Sequence, residues 1–262
     1  MTPNDPDRRA ARVAAVAGEF EASWEAITRE RGWWPGRTQV ELTRMLADAG
    51  SVAAAVERDE FVRFLRRSLN QWKAFRGVSV SDEHLARVLR DAAPAVDRLR
   101  GTTIAGLRRA GDPRLFEAFD AVRDLRPSAR KWVATSKTLH HLLPDLIVPM
   151  DNMLTAPFLG RASLPDTFDA EVLQAAYASF LDLRDAIGVS RLRGAAREVP
   201  YPVAGARLAE CRVGSARVID VAIAGYVVRH GARILREAQP AGGKSHSVPV
   251  GGASVEPTIP SS

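Results

Sequence analysis

Residues 131–151 read KWVATSKTLHHLLPDLIVPMD, and polar side chains interrupt what is otherwise an apolar helical face. Pro144 predicts the end of a helix, because proline disrupts a helix interior. A short extended link follows, and Asp151 is placed to cap the next helix. The stretch therefore predicts a helix, a tight connection and a second helix, with Lys137 on the first and Asp151 at the start of the second.

Outside this stretch, apolar residues also recur every three or four positions, which is the spacing of helices packed on a core. Such faces occur at 13–27, 42–46, 52–76, 85–99, 115–122, 172–187 and 218–227. No window alternates apolar and polar residues between turn signals as a strand does. We therefore predict an all-α fold, a multi-helix globular bundle with a helix-hairpin-helix-like centre.

The domain organisation follows from where the helical pattern stops. Residues 1–238 are predicted to form one helical domain, with a sub-boundary near 100–112 as an alternative. Glycines and prolines between 188 and 214 predict irregular surface chain with one short helix. Residues 239–262 are rich in Gly, Pro and Ser and hold few large apolar side chains, so they predict a disordered C-terminal tail.

Composition excludes several classes of protein. The chain has 262 residues, of which 46% are hydrophobic and 26% charged. No stretch approaches the roughly 20 apolar residues of a spanning helix, and no secretory signal begins the chain, so we expect no membrane partner and a cytoplasmic location. The single cysteine, Cys211, excludes an internal disulfide and a cysteine-built metal site. We expect neither a metal nor a cofactor, and the oligomeric state stays open.

The positive charge is concentrated late in the chain. Lys and Arg number 37 against 31 Asp and Glu, and residues 184–236 hold ten arginines against four acidic residues. Arginine suits bidentate contacts with phosphate, so the excess points to an anionic partner such as DNA or RNA. The alternative is a coding bias, because the whole chain uses many arginines and only four lysines.

Lys137 and Asp151 are the candidate catalytic residues. A lysine held against an apolar face loses hydration, so its pKa falls unless a carboxylate pairs with it. An unpaired lysine is a nucleophile, whereas a paired one is an anchor or a structural tie. The simpler alternatives are a surface lysine whose stem covers apolar groups and an aspartate that only caps a helix.

Ser136, His140, His141 and Asp220 are candidate binding residues. His140 and His141 are adjacent, so on a helix they diverge by about 100° and at most one is expected in a pocket, with the other against the core. For the same reason they do not form a metal pair. Asp220 lies in an otherwise apolar part of the last helix, so we expect it to be buried and paired with Lys137 or an arginine.

The Ser-Lys, His-His-Leu-Leu-Pro and Pro-x-Asp elements of residues 136–151 resemble a family of uncharacterised helical bacterial proteins. That resemblance extends to the neighbourhood of Trp72 and Lys73, which it adds to the binding residues, and to residues 217–220. More distantly, the segment is similar to helix-hairpin-helix base-excision DNA glycosylases, in which a lysine and an aspartate face an extruded nucleotide.

By the glycosylase resemblance, Lys137 matches the lysine and Asp151 the aspartate. This sequence departs from the glycosylase pattern in lacking the hairpin glycines, in a shorter spacing between the two residues and in having no cysteine cluster. What the resemblance implies is a nucleic-acid-associated protein with glycosylase-like chemistry.

Two other functions fit the same residues. One is a helical protein that binds a small anionic metabolite, and the other is a non-catalytic structural or interaction module. An open basic groove around Lys137 and Asp151 would favour nucleic-acid binding. A closed pocket would favour a metabolite. A sealed network in which every polar group is paired would favour the structural role.

Overall fold

The computed structural model describes residues 6–28, 37–126, 131–197 and 213–238. Within these ranges there are twelve α-helices and no strand, which confirms the predicted all-α class. The helices are α1 (Pro6–Gly18), α2 (Phe20–Thr28), α3 (Arg37–Ala49), α4 (Val52–Val56), α5 (Asp59–Gln71), α6 (Asp82–Asp97), α7 (Pro113–Ala121), α8 (Lys131–Leu142), α9 (Thr155–Phe158), α10 (Ala170–Ile187), α11 (Val189–Arg197) and α12 (Ser215–Ala238). In the part of the chain that the structure describes, no helix has the length and apolar character needed to cross a membrane.

Local chemistry explains several helix ends. Ser51, Ser81 and Asp112 occupy the N-caps of α4, α6 and α7, and each side chain accepts a hydrogen bond from a backbone amide in the first turn, a position where Ser and Asp are preferred. Asp169 caps α10 in the same way. Gly50 follows α3 with a φ of 75°, a conformation that glycine adopts without strain.

One large hydrophobic cluster connects most of the helices, and a small second cluster consists of Ile27, Val221 and Ala224. The large cluster runs from Val13 in α1 to Val227 in α12, and it includes Ile104 and Leu107 from the connection between α6 and α7. Residues 215–227 of α12 are buried without interruption, so this helix passes through the middle of the core. Elements from both ends of the chain therefore depend on one another for burial.

The packing of α2 on α12 depends on a glycine. A Cβ atom placed on Gly225 would overlap the backbone carbonyl of Ser23, so the two helices approach each other at a distance that only glycine permits. This close contact holds α12 against the N-terminal part of the chain.

Two of the predicted helices are each divided in the structure. The face at 13–27 belongs to α1 and α2, which separate after Gly18, a residue with low helix propensity. The face at 52–76 belongs to α4 and α5, which ends at Gln71 instead of 76. Asp59 and Glu60 stand in the first turn of α5, where acidic residues favour a new helix start. On the two sides of this break, α4 packs mainly on α6, whereas α5 packs on α3, α6 and α8.

The predicted helix-hairpin-helix centre is not confirmed. After α8 the chain has no regular secondary structure over 147–151, and α9 has only four residues, so two long helices do not face each other across a hairpin. The short helix predicted within 188–214 is α11. The predicted tail at 239–262 and Cys211 lie outside the described residues, and the single-domain organisation stays a prediction.

Candidate functional site

A cleft of about 590 Å³ opens between the C-terminal end of α5, α8, the connection from α8 to α9, and α12. It brings together residues far apart in the sequence. Its lining consists of Gln71, Trp72, Lys73, Arg76, Arg126, Val133, Lys137, Pro149, Asp151, Asn152, Met153, Leu154, Arg217, Asp220 and Val228. The candidate catalytic residues Lys137 and Asp151 are therefore both in the wall of one solvent-accessible cleft.

Positive charge dominates this lining. Five cationic residues face two carboxylates there: Lys73, Arg76, Arg126, Lys137 and Arg217 against Asp151 and Asp220. A concave site with an excess of one sign concentrates ions of the opposite sign. The formal charge of the lining therefore favours the approach of anions.

Lys137 is half-buried, and its ammonium contacts a neutral group. Nζ donates a hydrogen bond to the backbone carbonyl of Trp72 at 2.7 Å. In the described ranges no carboxylate oxygen lies within 4 Å of Nζ, so Asp151 acts on it only through space. Loss of hydration lowers the pKa of Lys137, and Arg217 and Lys73 add to this effect, while Asp151 and Asp220 oppose it.

The Trp72 carbonyl, which accepts the hydrogen bond from Lys137, belongs to a tight turn that ends α5. The Ala74 amide donates to the Leu69 carbonyl and the Lys73 amide to the Asn70 carbonyl, both at 2.9 Å, which is the Schellman arrangement. Lys73 occupies the left-handed position of this turn with a φ of 56°, where glycine is usual. The strained turn leaves the Trp72 carbonyl free to face α8.

The prediction that Asp151 caps the next helix is wrong, because α9 begins at Thr155 with Leu154 as its N-cap; Asp151 instead caps the turn before α9, with one of its two oxygens. Oδ1 accepts from the amides of Met153 at 2.9 Å and Leu154 at 2.7 Å. Oδ2 makes no hydrogen bond within the described part of the chain. The cap fixes the carboxylate in the cleft wall, and Oδ2 is available to a ligand.

Ser136 does not line the cleft. Its side chain is fully buried, and Oγ accepts a hydrogen bond from the Met150 amide at 3.0 Å. This contact ties α8 to the connection that carries Asp151. The structure therefore places Ser136 behind the site, as a link between the elements that hold Lys137 and Asp151.

Asp220 is buried, as predicted, and its partner is Arg217 one turn earlier on α12. The guanidinium of Arg217 also lies over the Trp72 ring, with Cζ 4.8 Å from the ring centroid, an arrangement typical of cation–π contacts. Burial raises the pKa of Asp220 to about 6, although Arg217 and Lys137 favour its ionised form. Of the two partners anticipated for Asp220, the arginine is the one that contacts it.

His140 and His141 both contact the ring of Trp72, and neither lines the cleft, which agrees with the expectation that at most one of them belongs to a pocket. His140 is stacked on Trp72 with centroids 5.5 Å apart, and His141 meets it edge-on at 4.7 Å. Trp72 lies at the end of a neighbouring helix and spans the angle between the two rings. Neither histidine lines the cleft, and both are buried below it.

Each histidine is fixed by hydrogen bonds. Nδ1 of His141 donates to the Lys137 carbonyl at 2.7 Å, and Nε2 lies 2.7 Å from Oγ of Ser68, which donates to it. Nδ1 of His140 donates to the Ile147 carbonyl at 2.6 Å. Burial lowers the pKa of His141 to about 4 and that of His140 well below its usual range, so both rings are neutral.

These contacts make Trp72 a fixed part of the wall. Arg217 covers one part of its ring, and the two histidines support it from the core. The ring orients Arg217, and the Trp72 carbonyl orients Lys137. The predicted binding residue Trp72 therefore positions other groups, while the predicted residue Lys73 lies exposed on the rim.

Sequence reasoning missed Arg76, Arg126, Arg217 and Met153. Arg126 is buried and donates to the Arg76 carbonyl at 2.9 Å, which fixes the turn after α5. The one available signal was the spacing of Arg217 and Asp220, since residues three apart on a helix are neighbours. Met153 is 78% exposed at the cleft, and no pattern in the sequence indicates it.

Within the described ranges, no group of three or more His, Cys, Asp and Glu side chains could hold a metal ion. Comparisons with protein-family models, with curated proteins and with solved structures found no match to this chain. The glycosylase resemblance therefore stays a hypothesis that the cleft itself must support.

Proposed function

We propose that this protein binds nucleic acid through the cleft and holds one nucleotide beside Lys137 and Asp151. The observation that carries this proposal is the convergence of five cationic residues against two carboxylates around a single open cleft. A volume of about 590 Å³ lies within the range of sites that accept molecules of nucleotide size.

The cationic residues fall into two groups with different roles. Lys73 and Arg76 are exposed on the rim, where contacts with the phosphate backbone position a strand without reading its sequence. Arg126 and Arg217 are buried in the wall and hold the geometry of the site. Binding that depends on phosphate contacts weakens as salt increases, because counterions are released from the nucleic acid.

The catalytic form of the proposal is cleavage of an N-glycosidic bond. Lys137 as a neutral amine attacks the anomeric carbon, the bond from that carbon to the base breaks, and the base departs with the electron pair and takes up a proton. The Asp151 carboxylate stabilises the positive charge that develops on the sugar. The α8 helix and the turn before α9 supply these two groups without the glycine hairpin of the glycosylases.

Fluorescence anisotropy with labelled single-stranded and duplex oligonucleotides tests binding. We expect affinity at low ionic strength, a loss of affinity with added salt, and a several-fold weaker complex for Arg76→Gln. Arg63→Gln is the matched control, because Arg63 is an exposed arginine of α5 that does not line the cleft. No affinity at low ionic strength, or equal weakening by both variants, would overturn the proposal.

An excision assay tests the chemistry. Oligonucleotides with damaged or mismatched bases are incubated with the protein, and strand breakage after alkali reports base loss. Asp151→Asn keeps an oxygen that caps the turn but removes the negative charge, so we expect a folded protein that binds and does not excise. If binding occurs without excision by the unaltered protein, the binding proposal holds and the catalytic form is wrong.

A small anionic metabolite is the second candidate ligand. The observation that favours it is the volume of the cleft, about 590 Å³, which is typical of small-molecule sites, together with the exposed guanidinium of Arg76 at its rim, which suits a compact phosphate or carboxylate. If such an anion binds in the cleft, adding it at saturating concentration should displace a bound oligonucleotide. The structural tie is not supported by the contacts, since Lys137 donates to Trp72 and pairs with neither aspartate.

A further inference from the structure

We propose that the cleft selects guanine, by hydrogen bonds from Asp151, Asp220 and Lys137 to the edge of the base that carries O6, N1–H and N2–H. This inference rests on the proposed function in its binding form, because it takes a nucleotide to be the ligand. It does not require excision of the base.

Two carboxylate oxygens of the cleft wall are left for a ligand. Asp151 caps the turn before α9 with Oδ1, and in the described ranges its Oδ2 accepts no hydrogen bond. Asp220 pairs with Arg217 through Oδ2, and its Oδ1 likewise accepts none from the part of the chain that the structure describes. Burial raises the pKa of Asp220 and the nearby charge of Asp151 raises it further, so the two carboxylates are close together. A ligand in the cleft therefore meets two oxygens that require hydrogen-bond donors.

Arg217 positions one of these carboxylates. Its guanidinium is paired with Asp220 and lies over the ring of Trp72, so it is already engaged by the protein. The pairing favours the ionised form of Asp220, whose side chain is buried. An ionised carboxylate accepts hydrogen bonds and donates none. Oδ1 of Asp220 therefore rejects any ligand group that is itself only an acceptor.

Lys137 adds a donor beside the two acceptors. Nζ donates one hydrogen bond to the Trp72 carbonyl, and an amine or an ammonium keeps at least one further hydrogen. Burial lowers the pKa of Lys137, and the charges of Asp151 and Asp220 oppose this change, so Nζ lies near both carboxylates. The polar part of the cleft thus offers one donor and two acceptors to a ligand.

Guanine is the DNA base that complements this set. Its O6, N1–H and N2–H present one acceptor and two donors on one edge. Adenine and cytosine present an amino group beside an acceptor nitrogen, and thymine presents one N–H between two carbonyl oxygens. Each of these three bases leaves at least one carboxylate oxygen without a donor, and a site whose buried polar groups stay unpaired rejects such a ligand.

The remaining lining suits the other parts of a guanine nucleotide. Lys73 and Arg76 are exposed on the rim, where they can contact the phosphate. Apolar side chains beside the polar groups can cover the faces of the base: Val133, Pro149, Met153, Leu154 and Val228.

Fluorescence anisotropy with the full chain measures the selection. The probes are labelled thymidine oligonucleotides of one length that carry guanine, hypoxanthine or thymine at the central position. Hypoxanthine is guanine without the amino group, so it lacks one of the two donors. The measurement is made at about pH 7.5, where Asp220, with a pKa of about 6, is ionised.

We expect the guanine strand to bind about tenfold more tightly than the hypoxanthine strand, the factor that one hydrogen bond to a charged group supplies. The thymine strand should bind no more tightly than the hypoxanthine strand. Equal affinity for guanine and hypoxanthine would overturn the inference. This comparison uses the unaltered protein, so it does not depend on a variant that fails to fold.

A variant assigns the selection to Asp220. Asp220→Asn replaces the charged acceptor by an amide, so the preference for guanine over hypoxanthine should be lost. Asp91→Asn is the matched control, because Asp91 is exposed on α6, does not line the cleft, and gives the same change in net charge. A full preference for guanine in Asp220→Asn, or its loss in both variants, would contradict the role given to Asp220.

Isothermal titration calorimetry with guanosine and inosine 5′-monophosphates separates this inference from the proposed function. If no strand binds but guanosine monophosphate binds more tightly than inosine monophosphate, the nucleic-acid proposal fails and the guanine site stands. If the strands bind without a preference among bases, only the guanine inference is wrong. If neither strands nor monophosphates bind, both are wrong.

Discussion

His141 lies below the cleft as a buried neutral ring, and protonating it should destabilise the fold. Its pKa is about 4 in the folded protein against an ordinary value of 6.5. The unfolded chain therefore binds the proton more tightly, and stability falls as the pH decreases from 6.5 toward 4. At one pKa unit for each 1.36 kcal/mol, the full loss is about 3 kcal/mol, of which about 2 kcal/mol is reached at about pH 5.

Other groups also titrate in this range, so the prediction concerns a difference between two proteins. Asp220, with its raised pKa, acts in the opposite sense, because its protonation below about 6 favours the folded state. The His141→Asn variant keeps a donor for the Lys137 carbonyl and loses the titration. Urea unfolding of both proteins at about pH 7.5 and about pH 5 gives the difference in free energy of unfolding at each pH.

We expect the unaltered protein to lose about 2 kcal/mol relative to His141→Asn between these two conditions. Leu142→Ala is the control, since this neighbouring buried side chain has no titratable group and its cost should not depend on pH. If the difference in free energy of unfolding between the unaltered protein and His141→Asn is the same at both pH values, His141 is not held neutral. The role given to His141 as a neutral ring that supports Trp72 would then be wrong.

Three further predictions concern stability and are measured by thermal or urea unfolding. Gly225→Ala should cost roughly 1–3 kcal/mol, because its Cβ overlaps the Ser23 carbonyl, whereas Gly194→Ala in α11, with open space around it, should not destabilise. Lys73→Gly should stabilise by about 1 kcal/mol by relieving the left-handed conformation, and Lys73→Ala, which keeps the strain, should not. Ser136→Ala should cost about 1–3 kcal/mol, because it leaves a buried backbone amide of the connection after α8 without its acceptor; no loss would refute the proposed link.

The sequence predicts the helical class well because helical periodicity is a local property. The caps at Ser51, Ser81 and Asp112 were predictable for the same reason, since each cap binds amides only two or three residues away. The breaks after Gly18 and Val56 were not predicted, because the apolar spacing continues across them. Gly18 and the acidic first turn of α5 favour the breaks locally, and the segments beside them pack on helices that are distant in sequence, α12 for α2 and α6 for α4.

The site was predictable in part. Lys137 and Asp151 were identified because polar residues interrupt an apolar pattern, and the structure places both in one cleft. The hydrogen bond from Lys137 to Trp72 was not predictable, because its acceptor is a backbone carbonyl, which leaves no signal in the sequence. Arg76 and Arg126 reach the cleft through the turn after α5 and the segment before α8, and only the tertiary arrangement brings them together.

The salt dependence of oligonucleotide binding tests the central claim most directly. For single-stranded DNA, the slope of log K against log salt concentration is about −0.7 for each phosphate neutralised. If Lys73 and Arg76 each contact a phosphate, the Lys73→Ala, Arg76→Gln double variant should have a slope smaller in magnitude by about 1.4 than that of the unaltered protein. An unchanged slope and unchanged affinity would show that the cleft is not where this protein holds its anionic partner.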